Sequence, residues 1–77
     1  MIMRMAYVLL ISTLGFENDI LEALEDIPGV RESFILHGVF DIILKVEADT
    51  MGELKELIDK IRNAERVRSV ISMIVIS

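Results

Sequence analysis

The sequence contains no cysteine and no tryptophan, and its only histidine is His37. The absence of cysteine excludes disulfides, thiol nucleophiles and thiolate metal sites, and it is typical of cytoplasmic proteins. No group of His, Asp and Glu has the spacing of a metal site. The four glycines stand apart, so no phosphate-binding loop is formed. We therefore expect no cofactor, no metal and no enzymatic activity.

Long apolar runs and basic clusters are also missing. The longest apolar run, residues 5–11, is far shorter than the roughly 18–20 residues that a membrane-spanning helix needs. The 8 Lys and Arg residues are scattered and outnumbered by 13 Asp and Glu, which gives a net charge of −5. Since nucleic-acid binding needs a concentrated basic surface, we expect neither membrane insertion nor direct binding of nucleic acid.

Hydrophobic residues, in contrast, are abundant. They make up 53% of the 77 residues, and the mean hydropathy is +0.56. A chain of this length forms one small domain, here residues 1–77, and leaves a large share of its surface exposed. The surplus of apolar side chains therefore predicts an interface with another subunit.

Short β-rich segments alternate with two amphipathic segments. Strands are predicted at residues 5–12, 30–36, 40–48 and 67–76, and a first helix at residues 18–27 with Asn18 as its N-cap. Thr50 and Glu53 form a capping-box pattern that opens a second helix. The order β-α-β-β-α-β is that of the α+β ferredoxin-like fold, in which two helices lie on one face of a four-stranded antiparallel sheet.

An internal repeat supports this order. An offset of 37 residues relates the apolar stripes of the two helices, carrying Ile20, Leu21, Leu24 and Ile27 onto Leu57, Ile58, Ile61 and Ala64. The same offset relates Thr13 to Thr50. The first and last predicted strands are apolar on both faces, so the face without helices should be apolar too. A patch of that kind predicts a two-fold dimer through the sheet, with about 800 Å² buried per subunit.

One segment, residues 37–41, suggests a binding site. Asp41 lies at the beginning of a strand otherwise filled with Ile and Leu, on the face expected to meet a partner, where a carboxylate needs a cation or several N–H donors. Backbone amides beside Gly38 and the Asp41 carboxylate together could hold a zwitterion. A purely structural turn explains the same residues, and the residues alone favour that interpretation.

The sequence of residues 38–46 resembles the Gly-x-(Tyr/Phe)-Asp-hydrophobic-Lys-Val signature of the RAM domain (regulation of amino-acid metabolism) of Lrp/AsnC transcription regulators. Residues 27–30, the Thr50-x-x-Glu53-Leu54 segment and residues 67–76 match in the same order. The resemblance covers nearly the whole chain.

The resemblance implies a homodimer through the sheet, often assembled into octamers, with amino acids held between dimers. It assigns ligand contacts to Gly38, Phe40 and Asp41, and further contacts from a neighbouring subunit to Ser69 and Ser72. Phe40 stands where tyrosine is common, so a hydroxyl is missing. The helix-turn-helix of full-length regulators is absent, so DNA binding is not implied; the chain would co-assemble with such regulators or act as a free sensor.

Three alternatives remain open. The chain could be an adaptor that joins full-length regulators without binding an effector. It could be a small enzyme of the dimeric ferredoxin-like type, although the sequence offers mainly aliphatic residues for a pocket. It could also be an ACT-like amino-acid sensor, whose ligand glycine follows the first strand, where Gly15 lies.

Overall fold

A computed structural model of the protein describes residues 3–76. These residues form six elements in the predicted order, which are β1 (Arg4–Ser12), α1 (Glu17–Glu25), β2 (Val30–Ile35), β3 (Ile42–Ala48), α2 (Met51–Arg62) and β4 (Val67–Val75). The strands pair antiparallel in the order β2-β3-β1-β4. The predicted ferredoxin-like fold is confirmed.

The core lies between the two helices and one face of the sheet. Alternate residues of the central strands are fully buried on this face, among them Val8, Leu10 and Leu44. The helix stripes meet them through Leu24, Leu54 and other apolar side chains of α1 and α2. Each fully buried aliphatic side chain contributes about 1.5–3 kcal/mol relative to an exposed one. This single layer therefore accounts for most of the hydrophobic stabilisation within one chain.

The two helices begin differently. The Thr50 hydroxyl oxygen accepts the Glu53 N–H at 3.1 Å, which confirms the Thr50 half of the predicted capping box. The prediction of Asn18 as N-cap of α1 is wrong. The Ile20 N–H already donates to the Phe16 carbonyl at 3.0 Å, so the N-cap is Phe16, which makes no side-chain capping bond, and Asn18 lies within the first turn.

The internal repeat extends to the backbone. The turns that follow the helices contain matching hydrogen bonds at the offset of 37 residues. In the first turn, the Ile27 N–H donates to Leu24 O and the Val30 N–H to Ile27 O. In the second, the Ala64 N–H donates to Ile61 O and the Val67 N–H to Ala64 O. Both turns also contain one residue with positive φ, Gly29 at 102° and Arg66 at 66°. The two halves therefore share a turn as well as a helix stripe.

The repeat fails at the start of the helices. Both helices end at equivalent positions, Glu25 and Arg62, yet α1 has 9 residues and α2 has 12. Gly15 and its repeat equivalent Gly52 explain the difference. Gly52 is helical, whereas Gly15 has φ of +89°, a left-handed conformation that a helix cannot contain. Helix α1 consequently lacks the first turn that α2 has.

Arg66 is held in its unusual conformation by the loop after β1. Its carbonyl oxygen accepts both the Thr13 N–H at 2.8 Å and the Thr13 hydroxyl at 3.0 Å. Its guanidinium lies 4.1 Å from the centroid of the Phe16 ring, a cation–π contact. These contacts join the β1–α1 loop to the α2–β4 turn and offset the cost of positive φ in a residue with a Cβ.

The face of the sheet without helices is apolar over β1 and β4, as predicted, whereas β3 contributes the charged Lys45 and Glu47 to it. Tyr7 and Leu9 on β1 are paired with Met73 and Ile71 on β4, and Ile71 and Met73 are 47% and 51% exposed. Phe34 on β2 lies on the same face and is 57% exposed. We call these five side chains the open face. Neither helix in the described part of the chain is long and apolar enough to cross a membrane.

Substitution of Gly29 by alanine should destabilise the fold strongly. A Cβ at this position would lie 2.7 Å from a Leu57 methyl carbon and 2.9 Å from the Glu47 carbonyl oxygen, and φ is +102°. Backbone strain and overpacking together should cost about 2–4 kcal/mol. Urea unfolding at fixed protein concentration, monitored by circular dichroism, measures the change.

Gly15→Ala is the matched control for this prediction. Gly15 also has positive φ, at +89°, but nothing lies within 4 Å of a Cβ built there. This variant should show only the strain, about 1 kcal/mol. Equal losses in the two variants would contradict the packing argument for Gly29.

Candidate functional site

An open groove lies at one end of the sheet, between the β2–β3 hairpin and the first turn of α1. Its lining combines two aliphatic side chains, two acids, one amide and the hairpin, from residues Glu17, Asn18, Ile35, Leu36, His37, Gly38 and Asp41. The topology brings these segments together because β1 and β3 are antiparallel, so β1 ends where β3 begins. We call this depression the hairpin groove.

Asp41 is fixed by bonds from both its main chain and its side chain. Its N–H donates to the Leu10 carbonyl at 3.0 Å, and its carbonyl oxygen accepts the Leu36 N–H at 2.6 Å. Its Oδ2 accepts the Ser12 N–H at 2.9 Å and the Ser12 hydroxyl at 3.1 Å. Ser12 is only 3% exposed, so these bonds anchor the hairpin to the end of β1.

Asp41 finds hydrogen-bond donors within its own chain. The sequence predicted that this carboxylate needs a cation or several N–H donors, and Ser12 supplies one N–H and one hydroxyl donor. The reason is the register, which places the end of β1 beside the residue that precedes β3. The second oxygen, Oδ1, accepts no hydrogen bond from residues 3–76 and can receive a ligand donor.

The hairpin backbone offers several donors next to Asp41. Within the described chain, the N–H groups of the four residues from His37 to Phe40 make no hydrogen bond to backbone or side chain. A backbone donor is strong and is normally paired or hydrated. These N–H groups are therefore open to water or to a ligand.

The structure brings together only part of the predicted site. Gly38 and Asp41 line the hairpin groove, whereas Phe40 lies between them in the chain and is not part of the lining. Sequence reasoning missed Glu17, Ile35 and Leu36, and it assigned Asn18 only as a helix cap. The predicted topology contained the signal for Glu17, because the loop after the first strand and the hairpin before the third lie at the same end of the sheet.

The two serines lie on opposite faces of β4. Ser69 is paired with Ile11 and lies on the side of the open face, at the end of the sheet where Asp41 lies. Ser72 is paired with Val8 on the helix side and borders a different depression with Lys55 and Arg62. Neither lines the hairpin groove of its own chain, so a role for them in binding needs a neighbouring subunit.

Metal chemistry finds no support in the described residues, since no group of three His, Asp or Glu side chains among them is arranged to hold an ion. His37 is exposed at the hairpin. The groove therefore offers hydrogen-bond donors, carboxylates and aliphatic surface. This chemistry suits the binding of a small polar molecule.

A protein-family model described as the Lrp/AsnC ligand binding domain matches residues 11–77. The chain belongs to this family. The family assigned from residues 38–46 and their supporting segments is thus confirmed, and the match does not favour the ACT-like alternative. Members of the family are ligand-binding modules of regulators, and this is the general class of the present domain.

Solved structures share the fold over almost the whole chain. The crystal structure of FFRP-DM1 has a TM-score of 0.91 and 34% sequence identity, covering 95% of this Lrp/AsnC domain and 99% of that chain. The transcriptional regulator NMB0573 from Neisseria meningitidis, solved as a complex with L-Met, has a TM-score of 0.80. It is 18% identical, and the match covers 96% of this chain and 50% of the regulator, so this likeness concerns the fold.

One of the relatives is named as an enzyme and not as a regulator. The homocitrate synthase of Sulfurisphaera tokodaii is 40% identical over 50 residues, which are 65% of this Lrp/AsnC domain but 11% of the synthase. The chain thus spans about a tenth of the length of the curated relatives it matches. A domain of this kind is therefore similar to a small part of a much larger protein.

Removal of the Asp41 carboxylate should destabilise the domain even without ligand. Asp41→Ala leaves the Ser12 N–H and hydroxyl without their acceptor at a position that is 3% exposed. Loss of hydrogen bonds to a charged group should cost about 1–3 kcal/mol. Thermal or urea unfolding of the variant and of wild type at equal concentration measures the loss.

A double-mutant cycle with Ser12→Ala separates this contact from other effects. Ser12→Ala keeps the backbone donor and should cost less than Asp41→Ala. Asp49→Ala, which changes an exposed aspartate outside the groove, serves as the control. Additive losses at Asp41 and Ser12 would show that the contact does not stabilise the fold.

Proposed function

We propose that this chain is an amino-acid effector-binding and oligomerisation module of Lrp/AsnC-type transcription regulation that acts in the cytoplasm. In this proposal it binds and assembles and does not catalyse. The family description as a ligand-binding domain supports the class of function. The observation that carries the choice of ligand is the set of unpaired hairpin amides beside the free Oδ1 of Asp41.

An α-amino acid carries the two charges that this arrangement can pair. Its carboxylate would accept hydrogen bonds from the amides of residues 37–40, and its ammonium would donate to Asp41 Oδ1. Charge-assisted hydrogen bonds of this kind are about twice as strong as neutral ones. Because Ser12 already holds Oδ2, the carboxylate loses little freedom on binding, which favours affinity. Gly38 lets the ligand approach the backbone, and Phe40 supports the hairpin.

The open face supports the second part of the proposal, assembly. Exposed side chains such as Phe34, Ile71 and Met73 form an apolar patch of the kind that marks subunit interfaces. Two copies joined through this face would form a two-fold homodimer, and further assembly into octamers would bring Ser69 and Ser72 of neighbouring subunits towards bound ligand. The same face would let the chain co-assemble with full-length Lrp/AsnC regulators.

Amino-acid binding tests the first part of the proposal. The purified chain should be stabilised against heat by at least one common amino acid at millimolar concentration, because a ligand that binds only the folded state raises its stability. Asp41→Asn keeps an oxygen for Ser12 but removes the charge, so affinity should fall roughly tenfold or more. Asp49→Asn is the matched control. Absence of any shift in wild type would favour an effector-free adaptor.

Self-association tests the second part. Light scattering coupled to gel filtration should give a mass of at least twice 8.7 kDa for wild type. Ile71→Lys places a charge on the open face and should shift the chain towards monomer, since burial of an unpaired charge is costly. Leu14→Lys makes the same change in a loop residue that is 87% exposed and should leave the mass unchanged. A wild-type monomer at all concentrations would contradict this part.

The similarity to homocitrate synthase favours a second candidate function, a regulatory module for a biosynthetic enzyme. The 40% identity with part of the Sulfurisphaera tokodaii synthase exceeds that with the regulator of similar fold. The groove would bind an amino acid in either setting. The two candidates differ in the partner, so binding to a full-length Lrp/AsnC regulator or to a synthase distinguishes them.

A further inference from the structure

We infer that the hairpin groove selects amino acids whose side chain is an aliphatic stem ending in a cation, of the lysine or ornithine type. The inference rests on the proposed function and adds the class of effector. It follows from the charges of the lining, from the weak hydrogen bonding of the Glu17 carboxylate and from the exposure of an aliphatic residue, Ile35, on the helix side of the sheet.

The charges of the groove do not balance for a neutral amino acid. Glu17 and Asp41 contribute two carboxyl groups to the lining, His37 contributes its only imidazole, and no Lys or Arg contributes to it. The ammonium of a bound amino acid neutralises Asp41, and its carboxylate is taken by the hairpin amides. Glu17 is then left with a negative charge that a second cation on the ligand would pair.

Glu17 is available for this role. Its Oε1 accepts only a long hydrogen bond, 3.3 Å, from the Gly15 N–H. The salt bridges within residues 3–76 are Arg31–Glu47, Lys45–Glu32 and Arg62–Asp59, and none involves Glu17 or Asp41. Arg66 also contacts the β1–α1 loop, but its guanidinium lies over the Phe16 ring. Arg66 borders a different cavity.

An aliphatic surface lies between the polar groups of the lining. Ile35 is paired with Ile42 in the sheet, and Ile42 is fully buried, yet Ile35 is 46% exposed. Leu36 continues this surface into the groove. Methylene groups of a ligand stem would cover it, at about 25 cal/mol for each Å² removed from water. A short polar side chain would leave it exposed.

Four ligands separate the contributions. Lysine and ornithine carry the aliphatic stem, the carboxylate and two ammonium groups. Norleucine lacks the terminal cation, and cadaverine lacks the carboxylate. By isothermal titration calorimetry of the full chain, lysine or ornithine should bind roughly three- to tenfold more tightly than norleucine. Cadaverine should bind more weakly than lysine, since it leaves the hairpin amides unpaired.

Glu17→Gln tests the assigned residue. This variant keeps the shape and removes the charge, so lysine should lose its advantage while norleucine affinity stays the same. Glu22→Gln makes the same change on the same helix at an exposed position outside the groove and should keep the advantage. Because norleucine is measured in each variant, a loss of folding is distinguished from a loss of selectivity.

Each contrary result would overturn a different claim. Norleucine that binds as tightly as lysine in wild type would overturn the inferred class and leave the proposed amino-acid binding intact. An advantage of lysine that persists in Glu17→Gln would overturn the role of Glu17. Absence of binding by all amino acids would overturn the proposed function itself.

Discussion

Two helices can cover only one face of a four-stranded sheet, and this limit decides how the chain uses its apolar residues. The buried row of β1 and β3, including Val8, Leu10 and Leu44, is fully covered by α1 and α2. The opposite row contains Tyr7, Leu9 and their partners on β4, and neither helix covers it. This exposed apolar row is what supports the proposed assembly through the open face.

The contact between Asp41 and Ser12 joins this fold to the binding site. A carboxylate at the start of β3 would be expensive beside an apolar sheet without donors, and the two donors of Ser12 remove that cost. The same bonds hold the hairpin amides in place and leave Oδ1 free. In the proposed function, stability and binding depend on different oxygens of one side chain, which is why Asp41→Asn and Asp41→Ala have different expected effects.

Sequence periodicity was sufficient for the order of the elements and for the open face, because both follow from which side chains alternate. It was not sufficient for Asp41, whose donors lie 29 residues away in the chain and are found only when the register of β1 and β3 is known. Asn18 was wrongly assigned as N-cap because a favourable residue type was given more weight than the backbone turn at Phe16. The opposite faces of Ser69 and Ser72 could have been deduced, since positions three apart in a strand alternate.

The internal repeat explains where a site could form. Thr50 caps α2, whereas its equivalent Thr13 donates instead to the carbonyl of Arg66, and Gly15 stops α1 one turn short of its counterpart. The missing turn lies beside the hairpin, so Glu17 becomes the first residue of α1 and part of the groove. Loss of symmetry at this one loop leaves α1 without the residues equivalent to the first turn of α2. The hairpin groove is consequently formed where the two halves of the repeat differ, and the core where they agree.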